Sequence, residues 1–139
     1  MRPYLVVAAI LIGACSTERQ PPLVATDLVV TRPMPGTGIS AAYLSLTNNT
    51  EKTISVTRVT SVQFRSVQLH ESMLENGVAR MRAIPELEIP PGQTLTLQRG
   101  GKHLMLIRPK GPADIVSLQF FDEDSLVLSV DAAFETKAH

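Results

Sequence analysis

His70, Met81, His103 and Met105 are the residues of this chain whose types and spacing could do chemistry together. His103 and Met105 stand two positions apart in GGKHLMLIRP (100–109), a run that reads as a β-strand launched by two glycines. Strand side chains alternate between faces, so the imidazole and the thioether project the same way. Earlier in the chain, Asn76-Gly77 is a two-residue hairpin signal, because a type I′ turn takes positive φ at both central positions. With those two residues as the loop, Glu75 pairs with Val78 and Ser72 with Met81, while His70 shares the face of Ser72. His70 and Met81 are then diagonal neighbours roughly 7–8 Å apart. The same register sends Glu71 and Met73 to the opposite face. If the two faces meet at one edge of a sandwich, two imidazoles and two thioethers converge. Thioether is a soft neutral donor that favours Cu(I), and imidazole accepts copper and zinc alike. Zinc would instead recruit thiolate, imidazole or carboxylate.

The elements that must position these residues are strands. LVATDLVV (23–30) and ISAAYLSLTN (39–48) flank a Pro/Gly loop, TRPMPGTG, that carries Met34. Residues 53–72 hold two short β-rich runs broken near Ser61, followed by the Asn76-Gly77 hairpin. LEIPPGQTLTLQRGG (87–101) contains a strand end, a Pro-Pro-Gly turn and another alternating strand. After GGKHLMLIRP come IVSLQFF (115–121) and SLVLSVDAAF (125–134), joined at Asp122-Glu123-Asp124. Turn signals recur at roughly 8–12-residue spacing and no window has helical periodicity, the pattern of a small antiparallel β-sandwich or barrel. No phosphate-binding glycine loop and no nucleophile elbow is present.

LHESMLENGVARMR followed by GGKHLMLIRP resembles the PCu(A)C family of bacterial periplasmic copper chaperones. That family's motif is His, ten residues, Met, twenty-one residues, then His-x-Met, and His70, Met81, His103 and Met105 reproduce every spacing. The resemblance extends to YLSLTN, LEIPPG and GGKHLML, and covers about residues 23 to 134. Family members often carry a second Met two residues after the first His, where this chain has Ser72. The resemblance implies an all-β, cupredoxin-like antiparallel Greek-key β-sandwich that binds copper as Cu(I) through two His and two Met. It also implies a partner: cytochrome c oxidase subunit II, with its copper A centre, or another copper-assembly protein.

The N-terminus reads as export machinery. Met1-Arg2, a short apolar run from Leu5 to Ile12 and Leu11-Ile12-Gly13-Ala14-Cys15 resemble a lipoprotein signal of residues 1–14. The run is too short for a membrane span, which needs about 20 residues. Cleavage would leave Cys15 lipidated on a tether of residues 15–22, ahead of a domain of residues 23–139; a plain secretory signal with an incidental cysteine is the other reading. Ser16 after the cysteine favours anchoring at the outer membrane, facing the periplasm. Cys15 is the sole cysteine, so the folded domain has no thiolate for a blue-copper centre. Thirteen Lys and Arg balance thirteen Asp and Glu, which gives no electrostatic footprint for nucleic acid. The expected form is a monomer without enzymatic activity. Arg80, Arg82, Arg99, Lys102, Arg108 and Lys110 flank the four residues, as a solvated face or as a docking surface for an acidic partner. His139 ends the chain and is read as frayed, with a weak extra metal ligand as the other reading; Met34 is read as an exposed loop residue rather than a mobile gate. A copper-buffering lipoprotein and a metal-free scaffold sandwich stay open beside the chaperone.

Overall fold

The computed structural model describes residues 19–135, so the signal segment, Cys15 and His139 lie outside the described residues. Every regular element among the described residues is a strand, and the strands pair antiparallel. No helix among the described residues is long and apolar enough to cross a membrane. The strands are β1 (Leu23–Val30), β2 (Ile39–Asn48), β3 (Ile54–Val56), β4 (Arg58–Thr60), β5 (Phe64–Glu75) and β6 (Val78–Ala83). They continue as β7 (Leu87–Ile89), β8 (Thr94–Leu97), β9 (Lys102–Pro109), β10 (Ile115–Asp122) and β11 (Ser125–Ala133). One sheet runs in the order β1-β2-β9-β5-β6, with β8 also on β2; a second runs β11-β10-β4, and β3 pairs with β7. This is the cupredoxin-like Greek-key β-sandwich expected.

Alternation decides what each face of the large sheet does. Ala42, Leu44 and Leu46 of β2, Leu104 and Leu106 of β9 and Leu69 of β5 are buried and turn inward. They meet Val116, Leu118 and Phe120 of β10, which are fully buried. Each fully buried Leu or Phe side chain contributes ~1.5–3 kcal/mol relative to exposure, so inward residues fix the register and the outward ones are left to be used. On the outward face of β2 and β8, hydroxyls pair across the strands, Ser45 with Thr96 at 3.2 Å and Thr47 with Thr94 at 2.8 Å.

Two local features differ from the sequence reading. The segment after residue 53 breaks twice, at Thr57 and again over 61–63, because Thr57 turns to bond the β10–β11 end, its N–H donating to the Phe121 carbonyl. The glycines of GGKHLMLIRP lie before β9 rather than in it. Leu44 faces Leu97 while Ala42 faces Leu104, so β8 and β9 form one interrupted strand along β2 with residues 98–101 looped out between them. Gly100, at φ 79°, makes that excursion possible. The turn closes through Gly101 N–H on the Gln98 carbonyl (3.0 Å) and Gln98 N–H on the Lys102 carbonyl (2.9 Å).

Candidate metal centre

The Asn76-Gly77 turn sets the first half of the site. Both residues have positive φ (51° and 77°), and β5 and β6 pair in the register expected, Glu75 with Val78 and Ser72 with Met81. The second half arrives differently from the sequence expectation. The His70 and His103 faces do not meet across an edge of the sandwich. β5 and β9 are adjacent strands of one sheet, His70 lies directly opposite His103, and Gln68 lies opposite Met105. All four candidate residues therefore share the outward face of the large sheet. The reason is the inward face: Leu69 opposite Leu104 must be buried, which turns His70 and His103 out together.

The two imidazoles are 5.9 Å apart between ring centroids. His103 is only 6% exposed although it faces outward, because Tyr43 of β2 covers it at 6.3 Å between rings. Its Nδ1 is 3.1 Å from the Gly101 carbonyl, which also accepts the Ser72 N–H at 3.0 Å. A carbonyl only accepts, so that contact places the proton on Nδ1 and leaves Nε2 with a free lone pair. His70 is arranged the other way round: its Nε2 lies 2.9 Å from Gln68 Oε1, while its Nδ1 is buried with no hydrogen-bond partner. Nε2–H donation to Gln68 leaves His70 Nδ1 as an unused acceptor. Each ring is thus oriented by one bond and keeps one nitrogen lone pair available, the arrangement a metal-ligating His needs. Burial, and secondarily the neighbouring His103, hold the His70 pKa below its usual value and favour the neutral ligand form.

A cavity of about 630 Å³ has His103, Met105 and Met81 in its lining, while His70 lies beside His103 outside that lining. Met81 is 51% exposed on the free hairpin strand β6, so the set grades from a covered imidazole to an open thioether. Among the described residues, no three His, Cys, Asp or Glu side chains come together as a metal site. A metal held here would need thioether sulfur beside the imidazoles, which fits a soft monovalent ion.

The basic cluster is largely engaged. Glu71, on the opposite face as expected, accepts from Arg82 (2.9 Å) and Lys102 (3.0 Å), and these two bonds hold its carboxyl below the usual range. Arg80 pairs with Glu75 at 2.8 Å. Arg99, at the tip of the looped-out turn, lies 4.9 Å over the Tyr43 ring and pairs with Glu135 at 3.2 Å. Its charge is therefore balanced beside the cavity. Sequence reasoning did not single out Tyr43, Gln68 or the Gly101 carbonyl. Tyr43 carried a signal, being on the outward parity of β2, but its neighbour His103 became visible only with the β2–β9 pairing. Met34 is exposed as expected, yet it also lines the cavity.

Solved structures share this architecture. A solution structure of CuI-DR1885 from Deinococcus radiodurans is 30% identical with a TM-score of 0.66, covering 87% of this chain and 83% of that one. The copper-bound PCuAC domain from PmoF2 is 20% identical with a TM-score of 0.67, covering 84% of this chain and 94% of that one, a likeness of fold. By sequence, "Putative lipoprotein Lxx21020" of Leifsonia xyli subsp. xyli is 36% identical over 101 residues, which are 68% of this chain. The chain spans 61% of the length of that relative. The family model described as "Putative lipoprotein LpqE-like" matches residues 23–132, the span from the first strand into the last that builds the sheet and the cavity. By that match, the chain belongs to the LpqE-like family.

Proposed function

We propose that this chain is a non-enzymatic, membrane-anchored extracytoplasmic metallochaperone whose cargo is Cu(I), held by His70, Met81, His103 and Met105. The observation that carries the reading is the pair of directly opposed imidazoles, each with one lone pair free, beside two thioethers on one sheet face. The Cu(I) in the name of the Deinococcus structure, which is 30% identical, supports the choice of ion. Cys15 would carry the lipid, in keeping with a lipoprotein family.

Delivery would proceed by ligand exchange. Met81, half exposed, is the donor an incoming partner displaces first, and covered His103 is the last to let go. Copper stays monovalent throughout, one donor bond forming as another breaks. The acceptor is a copper-assembly protein or the copper A centre in subunit II of cytochrome c oxidase. The test is an anaerobic Cu(I) titration against a competing chelator, with wild type, Met81→Ala and His103→Ala. Weakened binding in both variants is expected; undiminished binding in both would remove the assigned site. Reconstitution of an apo copper A domain by the loaded protein then tests delivery, and retention of the metal without transfer would reassign the chain to copper buffering.

A further inference from the structure

Met34 is a third thioether on the same cavity as Met81 and Met105. It lies outside the four-residue pattern, in the loop between β1 and β2. That loop is tied down: Thr31 N–H donates to the Ala41 carbonyl and Ala41 N–H to Thr31 Oγ1, both at 2.9 Å. Met34 N–H reaches the Ile39 carbonyl at 3.3 Å, and the Met34 carbonyl accepts from Thr37 N–H (3.2 Å) and Thr37 Oγ1 (3.1 Å). Pro33 and Pro35 on either side each fix their own φ near −65°. The backbone therefore holds this side chain over the cavity, although the side chain packs into no core and Met34 is 61% exposed. A methionine that served only as filler would be buried.

Resting on the Cu(I) reading above, we infer that Met34 is a transfer ligand, a third sulfur that engages Cu(I) at the mouth of the cavity during entry and release. The exposures order the donors: His103 at 6% is the covered one, while Met81 at 51% and Met34 at 61% are the open sulfurs of the lining. Cu(I) is soft and thioether is its matching neutral donor, so a sulfur-to-sulfur step needs no proton and no change of oxidation state. The Met34 sulfur forms a bond to copper as the Met81 sulfur gives its own up, and a donor of the acceptor protein then displaces the Met34 sulfur, so the ion leaves with its charge unchanged. The three sulfurs come from β6, β9 and the β1–β2 loop, and no strand periodicity links Met34 to the others.

The test is NMR of the full chain carrying methionine labelled with carbon-13 in its methyl group, with Cu(I) added anaerobically, alongside a chelator competition. Met73, paired with Arg80 on the opposite face of β5, is the internal control. The Met34 methyl signal should shift together with those of Met81 and Met105 while Met73 stays put. Met34→Leu, which keeps apolar volume and removes sulfur, should weaken Cu(I) retention on the order of tenfold, equivalent to about 1.4 kcal/mol. If wild type binds Cu(I) and Met81→Ala loses it, an unmoved Met34 methyl overturns the inference, whether Met34→Leu retains copper normally or not. A shift that includes Met73 also overturns it, since that reports nonspecific binding. Failure of wild type to bind Cu(I) would instead remove the function reading on which the inference rests.

Discussion

Replacing His70 by leucine should stabilise the metal-free protein while removing its Cu(I) affinity. The metal-free chain keeps His70 Nδ1 buried without a partner, and an unsatisfied buried polar atom costs ~1–3 kcal/mol. The substitution also deletes the Nε2–Gln68 bond, which lies at the surface and contributes about 0.5 kcal/mol. The net gain is about 1–2 kcal/mol, on the order of 5 °C in Tm for a domain of this size. The gap should depend on pH. The folded-state pKa of His70 is lowered by burial and by His103, so the unfolded chain takes up this proton first as the solution is acidified. Wild type then loses stability as pH falls below about 6.5, levelling off once the folded group is protonated, while the leucine variant is spared this loss. Urea denaturation of both proteins at about pH 7.5 and about pH 5.5 reads the difference directly. A leucine variant less stable than wild type at neutral pH, or a gap that narrows in acid, would refute the claim that His70 is held neutral at a cost to stability.

Gly100→Ala should destabilise the fold by about 1–2 kcal/mol, because φ is 79° there and no atom lies close enough to clash, leaving only the backbone penalty. The same variant should weaken Cu(I) binding, since the turn carries the Gly101 carbonyl that orients His103; denaturation and chelator competition on one preparation check both. Cu(I) affinity of wild type should be flat above neutral pH and fall as protons compete for the imidazoles, with His70 resisting to lower pH than an ordinary histidine. A titration series across the acid range tests this, and an affinity that rises in acid would contradict imidazole ligation.

The parts of the molecule legible in the sequence are those governed by local rules. Asn76-Gly77 dictates its own turn and, through it, the pairing of Ser72 with Met81. Alternation in LMLIRP placed Leu104 and Leu106 inward, and both are fully buried. What could not be read locally was which strands become neighbours. That β5 lies against β9, setting His70 opposite His103, follows from burial of Leu69 and Leu104 in a shared core, a property of the whole sheet. The looped-out turn at 98–101 was hidden for a related reason: GG read as the start of a strand, and only the separate pairing of β8 and β9 with β2 exposes it as an interruption. Met34 came to the cavity through a loop, where no periodicity operates.

In the proposed function, one Cu(I) ion is shared between nitrogen and sulfur on the outward face of the large sheet. X-ray absorption at the copper edge of the loaded protein measures that donor set most directly. The loaded protein should hold a monovalent ion with both imidazole nitrogen and thioether sulfur around it, and the sulfur contribution should fall in a Met81→Ala, Met105→Ala double variant, which keeps only Met34 of the cavity's thioethers. A shell of nitrogen and oxygen alone, or a sulfur signal unchanged in the double variant, would contradict this donor set.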